Sequence, residues 1–219
     1  MDAPDIIYVC RPGESNPALR FSLRSLANVP HNRVFISGYC PSWVRNVTAI
    51  SVRKLPSKLN AIENNLRHAL KHSELGDWCN YFNDDFFVLE PVSEVPITHG
   101  GPVEEFALRQ EFRWRMDRTV KALADRGIEQ EMLTYDGVHM PLPLVTERAR
   151  EILREIPSGV LWRTWYGNVA AIGGVRVPNT KSRNGEIVEG AMFLSTSNMT
   201  LRALREYLED ALPKGGPYV

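Results

Sequence analysis

Cys79-Asn80-Tyr81-Phe82-Asn83-Asp84-Asp85-Phe86-Phe87 is an aromatic, apolar run interrupted by one amide and two adjacent carboxylates. The apolar residues before the acids read as a buried strand, which the pattern places over Asp77 to Phe82. Two charges at the end of such a strand are expensive to desolvate unless a cation or a ligand meets them. An oxygen-rich pair at a strand's C-terminal end suits a hard divalent metal and a phosphate group in an α/β protein. The plainer reading is a strand end followed by a solvated Asn-Asp-Asp turn, since Asn and Asp commonly serve turns.

Upstream of this run, strands alternate with helices. Asp5 to Cys10 reads as a first buried strand, and Arg11 to Pro17 as a polar loop with turn residues. Ala18 to Ala27 is helical, with Leu19, Leu23 and Leu26 on one face. Arg33 to Ser37 is a second strand, ended by Gly38 and Pro41, and Val47 to Val52 is a third. Lys58 to His72 is an amphipathic helix whose apolar stripe is Leu59, Ile62, Leu66, Ala69 and Leu70. This alternation predicts an α/β fold, a mostly parallel sheet flanked by helices on both faces. In such sheets ligands sit outside the carboxyl ends of the strands. The loop after Cys10, the loop after Ser37 and the Asp84-Asp85 pair therefore share one rim.

Downstream of Pro91 the pattern predicts a helix over Glu104 to Arg126 and a charged helix over Thr146 to Glu155. A short strand is expected over Ala191 to Thr196 and a closing helix over Leu201 to Leu212. Asn179 to Glu186 reads as an exposed loop, and Gly174 to Gly190, with its basic side chains, as a flap facing an acceptor or a plain surface loop. With no internal repeat and no convincing linker, a single domain over 1–219 is expected, with an α/β half at 1–92 completed by 93–219.

The bulk properties narrow the function classes. The chain has 219 residues, 26 Lys plus Arg and 26 Asp plus Glu. A formal charge of zero gives no global support for a nucleic-acid or membrane-surface role. Cys10, Cys40 and Cys79 are odd in number and form no CxxC pair, which points to free thiols. The sequence has no long apolar run and no basic-then-apolar start, so no membrane span and a cytoplasmic location are expected.

Besides the acid pair, three residues have chemical potential. Glu63 lies early on the helix that feeds the fourth strand, where the plain reading is a solvated face. His139, in Gly137-Val138-His139-Met140-Pro141, offers an imidazole that titrates near neutrality, or a satisfied structural group. Arg163, in Leu161-Trp162-Arg163-Thr164-Trp165-Tyr166, is either a guanidinium stacked on indoles or a fork for phosphate oxygens. Arg11, Asn16, Ser37 and Gly38 also lie on the expected rim, as ligand-binding candidates or as ordinary solvated loop. Lys58 and Asn60 stand at a helix start, where backbone donors point outward.

Arg20-Phe21-Ser22-Leu23-Arg24-Ser25-Leu26, Pro41-Ser42-Trp43, Asn60-Ala61-Ile62-Glu63 and Tyr81-Phe82-Asn83-Asp84-Asp85-Phe86-Phe87 occur in a definite order. This series resembles the second conserved region of the Stealth family, over roughly Arg20 to Val92. That family includes bacterial capsular polysaccharide phosphotransferases and the eukaryotic N-acetylglucosamine-1-phosphotransferase. His139-Met140-Pro141 is similar to its third region, and Phe193-Leu194-Ser195-Thr196-Ser197-Asn198 to its fourth. Tyr8-Val9-Cys10-Arg11-Pro12-Gly13 stands where the family carries Trp-Val-Asp/Asn-Gly, and Met199 follows Asn198 where the family has an acid.

The resemblance implies a GT-A-like, Rossmann-like nucleotide-diphosphosugar transferase fold. It implies transfer of a sugar-1-phosphate from a UDP-sugar-like donor to an acceptor hydroxyl on a glycan, protein or nucleic acid. Glu63, Asp85, His139 and Arg163 stand at the family's catalytic positions. Asn83 and Asn198 join the substrate-binding set, and Asp84 and Asp85 would hold Mg²⁺ or Mn²⁺. Two alternatives share the scaffold: a glycosyltransferase that moves the sugar alone, and an inert nucleotide-sugar-binding protein.

Overall fold

The computed structural model describes residues 3–53, 58–106, 110–128, 130–187 and 189–219, and for 58–60, 110 and 111 the backbone alone. In chain order the elements are β1 (Asp5–Cys10), α1 (Pro17–Ser25), β2 (Val34–Gly38), β3 (Thr48–Ser51), α2 (Lys58–Leu70), β4 (Trp78–Asn83) and β5 (Phe86–Val88). There follow β6 (Thr98–His99), α3 (Gln110–Asp125), β7 (Leu142–Val145), α4 (Thr146–Arg154), α5 (Trp162–Val169) and β8 (Val175–Arg176). The chain ends with β9 (Phe193–Ser195), α6 (Asn198–Ala203) and α7 (Arg205–Ala211). Two compact units result. The first is Met1–Val95 with His139–Thr146 and Thr180–Val219, and the second is Pro96–Val138 with Glu147–Asn179. Residues 1–92 thus fall in the first unit, together with two later segments that the sequence places in the other half.

The first unit is an α/β layer built on a five-stranded sheet in the order β3-β2-β1-β4-β7. The first four of these strands are parallel, and β7 runs antiparallel beside β4. The mostly parallel sheet expected from the alternation is therefore present. The segment Asp5-Ile6-Ile7-Tyr8-Val9-Cys10 is buried at every position, as a central parallel strand covered on both faces must be. Side chains alternate between the faces. Tyr8 points toward α1, where its hydroxyl meets Ser22 Oγ at 2.8 Å, and its ring packs on that of Phe82. On the opposite face Ser37 Oγ donates to the Asn65 carbonyl of α2 at 2.7 Å, and Phe35 packs edge-on to His72.

Helices flank the sheet because the two crossovers supply amphipathic segments of the right length. Asn16 caps α1, its side chain accepting from Leu19 N, and Pro17 fills the first helical turn. Over α1 lies a second layer, the antiparallel β5–β9 pair and the helices α6 and α7. Ala18, Phe21, Phe87, Leu194, Leu201, Leu204, Leu208 and Leu212 close into one apolar cluster there. The closing helix read over Leu201 to Leu212 is broken at Leu204 into two short ones, and its start is set by a capping box of Ser197 with Thr200.

The second unit is smaller. In it α3 packs beside α5, and β6 pairs in parallel with β8. Its loops are tied by side chains: Asn168 bonds both the amide and the carbonyl of Leu133, and Thr164 Oγ1 accepts from Tyr135 N. Among the described residues, no helix is long and apolar enough to cross a membrane.

Candidate functional site

In the parallel part of the sheet the chain runs outward from β1 to β3 and then returns to place β4 on the other side of β1. The order of strands therefore reverses between β1 and β4, and a crevice at their carboxyl ends is where open α/β sheets hold ligands. Arg11 follows β1, and Asp84 and Asp85 follow β4. Arg11 Nε lies 3.2 Å from Asp84 Oδ2, so an ion pair spans the switch point.

Each participant is positioned by a local feature. Asn16 serves twice, since its Oδ1 caps α1 while its Nδ2 donates to Asp84 Oδ2 at 2.9 Å. Asp84 is 8 % exposed, and this oxygen meets both Asn16 and Arg11. Arg11 also donates through Nη2 to Asn198 Oδ1 at 3.0 Å, which fixes the guanidinium from a second side. Asp85 leaves the strand one residue later. Its carbonyl accepts from Thr196 N, and its Oδ2 lies 3.8 Å from Lys181 Nζ. Lys181 arrives there because the chain forms a parallel bridge from Lys181 to Ser195, which in turn pairs with Phe86.

These groups line a cleft of about 360 Å³ bounded by Arg11, Asp85, Lys181, Thr196 and Asn198. That size falls within the roughly 300–1,000 Å³ of small-molecule sites. Thr196 is 1 % exposed and its hydroxyl has no hydrogen-bond partner among the described residues; the same holds for the buried hydroxyls of Ser182 and Ser195. Buried hydroxyls of this kind are normally satisfied by water or a ligand.

The two carboxylates differ in fitness for a divalent ion. An ion on Asp84 Oδ2 would displace an amide and a guanidinium already in place. Asp85 faces the cleft, and Mg²⁺ is commonly held by one or two carboxylates plus phosphate oxygens and water. Of the two carboxylates, Asp85 is the one that borders the cleft. Among the described residues no group of three His, Cys, Asp or Glu side chains converges on a point.

The remaining expected residues are distributed as follows. Glu63 lies in α2 and pairs with Arg67 one turn on, at 2.8 Å. His139 lies at a positive φ of 51° in the first unit, and its carbonyl accepts from Thr180 Oγ1 at 2.8 Å, one residue before Lys181. Neither Glu63 nor His139 is among the described residues lining the cleft. Ser37 is fully buried with its hydroxyl engaged by α2. Gly38, at φ 109°, allows a close approach, since a β-carbon there would meet the Cys10 carbonyl and lie 2.5 Å from Asn65 Nδ2. Asn83 ends β4 and accepts from the Tyr81 hydroxyl. Lys58 and Asn60 belong to the first turn of α2, with side chains outside the described residues.

Arg163 belongs to the second unit, where it is buried beside Asp136. Burial raises the Asp136 carboxyl above its ordinary value, against the opposing pull of Arg163, Thr164 and Arg115. In the same unit Arg126 stands over the Trp165 ring, 5.7 Å from its centroid.

Lys181 and Thr196 are among the cleft residues that sequence reading did not assign to the site, with Ala18, Ser197, Met199 and Leu201. Lys181 sits in a stretch read as loop, nearly a hundred residues from Asp85, and no local signal marks it. The bridge to Ser195, flanked by backbone bonds from Ser182 N to Ser195 O and from Ser195 N to Thr180 O, places it. No protein-family model matches the chain, and no curated protein matches it.

Proposed function

We propose that the chain is a Stealth-type transferase that moves a sugar-1-phosphate from a nucleotide diphosphosugar to an acceptor hydroxyl, on a GT-A-like form of the α/β fold. The observation that carries this reading is the cleft at the β1/β4 switch point, lined by Arg11, Asp85 and Lys181. A diphosphate needs counter-charge and hydrogen-bond donors aimed at its oxygens. Arg11 presents a guanidinium held by Asp84 and Asn198, Lys181 an ammonium, and Thr196 a buried hydroxyl. Asp85 would hold Mg²⁺ or Mn²⁺, which would supply Lewis-acid charge at the phosphate oxygens. Asp84 then acts as the group that fixes Arg11. The resemblance would give the acceptor proton to His139 or Glu63, neither of which is among the described residues lining the cleft.

A panel of nucleotide sugars with Mg²⁺ or Mn²⁺ and a mixed acceptor set, read by the nucleotide released, tests this. Phosphosugar transfer releases UMP, whereas UDP as product assigns sugar transfer instead. Asp85→Ala is expected to lower turnover on the order of 10²-fold or more, as loss of a transition-state charge stabiliser does, while the fold persists. No nucleotide released from any donor defeats the reading.

A further inference from the structure

We infer that the cleft captures a diphosphate by side-chain charge alone, so that a nucleotide diphosphate binds without any divalent cation. This rests on the transferase reading above and assigns capture to Arg11, Lys181 and Thr196. The Mg²⁺ or Mn²⁺ of that reading is left to the transfer step.

The sign of the lining charge leads there. Among the described residues, the charged side chains that line the cleft are two cations, Arg11 and Lys181, and one anion, Asp85. Asp84 tempers the Arg11 charge, but it stands outside the lining at 8 % exposure, with one oxygen bonded by both Asn16 and Arg11. A ligand therefore meets the guanidinium first. That guanidinium has five N–H donors in a planar fork. Nε faces Asp84 and Nη2 faces Asn198, while Nη1 donates to none of the described residues. A donor edge is thus held ready for phosphate oxygens, and a group already fixed loses little freedom when an oxyanion arrives. Lys181 adds a second cation on a flexible stem, which can follow the phosphates. Thr196 Oγ1, buried and without a partner among the described residues, gains an acceptor. A bare divalent cation meets the reverse. It finds two like charges, one carboxylate and, among the described residues, no group of three His, Cys, Asp or Glu side chains. Like charges repel it, and hard divalent ions take several oxygen ligands. The lining therefore selects an anion over a cation.

The test is UDP binding to the intact protein by titration calorimetry, once in EDTA and once in MgCl₂. The wild type is expected to bind UDP with affinity of the same order in the two buffers, and more weakly as NaCl is raised and screens the charges. Arg11→Gln and Lys181→Gln are each expected to weaken UDP in EDTA by about tenfold or more, the worth of a hydrogen bond to a charged group. Arg11→Gln leaves Asp84 short of a partner, so Lys181→Gln, with a side chain about a third exposed, decides the matter if Arg11→Gln fails to fold. Asp85→Asn, which removes the negative charge of the lining, is expected to tighten UDP in EDTA. UDP bound in MgCl₂ but not in EDTA overturns capture by side-chain charge and leaves the transferase reading standing. Unchanged affinity in Lys181→Gln, or weaker binding by Asp85→Asn in EDTA, does the same. UDP bound in neither buffer overturns both.

Discussion

Asn16 shows at the scale of one residue how structure and site share an atom set. Its oxygen caps α1 and its nitrogen holds Asp84. The sequence reading put Asn16 on the ligand rim or in a solvated loop; it is 6 % exposed, with both its side-chain oxygen and its nitrogen bonded. The two roles separate by substitution. Asn16→Ser keeps an N-cap oxygen but loses the donor to Asp84. Asn16→Asp also keeps the cap, yet sets a second carboxylate against a buried one. Loss of a hydrogen bond to a charged group costs about 1.5–3 kcal/mol, and a like charge placed against a buried carboxylate costs more. Urea unfolding should therefore rank wild type above Asn16→Ser, and Asn16→Ser above Asn16→Asp at neutral pH. The gap between the two variants should shrink as acid protonates the pair. If Asn16→Asp is as stable as wild type, the Asp84 contact has no energetic weight.

Two loops at the carboxyl ends of the parallel strands are joined by one side chain. Glu14, in the loop after β1, accepts from Tyr39 Oη at 2.6 Å and from Ser42 N at 2.9 Å, both in the loop after β2. The Ser42 hydroxyl also donates to it, and Trp43 Nε1 donates to its carbonyl at 2.6 Å. These bonds favour the carboxylate, led by the Ser42 and Tyr39 hydroxyls, and hold the Glu14 carboxyl below its ordinary 4.5. A depressed folded value means the contribution is complete above the unfolded value and is lost as pH falls through the folded one. Protection of the Ser42 amide from hydrogen exchange, corrected for the intrinsic rate, should drop as pH falls below that range. Glu14→Gln should show no such step, and an identical pH profile in the two proteins would remove Glu14 from the connection. None of this was legible beforehand, because a glutamate in a polar loop carries no mark of its acceptor count. The elements themselves were more legible. Period-two burial and continuous apolar runs found β1, β2, β3 and β4 within a residue or two of their ends. The turn at Asp84-Asp85 was read correctly as the end of β4, but Phe86-Phe87 begins a new strand paired with β9, a contact about 110 residues away that no local pattern encodes. β7 was hidden in Leu142-Pro143-Leu144-Val145, where Pro143 argues against a ladder position. β7 lies at the outer end of the described strand order, where a missing donor is tolerated.

At the scale of the whole chain, long-range closure explains both what sequence could reach and what it missed. Rim loops after consecutive parallel strands follow from topology, so Arg11, Asp84 and Asp85 were identifiable together. Lys181 and the apolar cover of α6 and α7 depend on a return of the chain after 180, set by packing rather than by spacing. Arg24 anchors that return. Its guanidinium, 4 % exposed, sits in α1 and donates to the carbonyls of Leu212 and Pro213 and to the Glu209 carboxylate, all more than 180 residues away in sequence. Leu208 and Leu212 then complete the cluster around Phe21. The ion pair and the carbonyl bonds contribute unequally. Glu209 is nearly half exposed, and such a pair is worth little beyond about 1 kcal/mol. Hydrogen bonds from a charged donor contribute about 1.5–3 kcal/mol each, and the carbonyls at the end of α7 have this buried donor to satisfy them. Glu209→Gln should therefore lower the unfolding free energy by under about 1 kcal/mol, and Arg24→Met by about 3 kcal/mol or more, both measured by urea unfolding. Arg24→Met should also release α6 and α7, seen as faster amide exchange at Leu208 and Leu212 and weaker UDP binding, since Asn198 and Thr196 border the same segment. Equal costs for the two variants would make the exposed ion pair the true fastening and leave the α7 carbonyls satisfied by water.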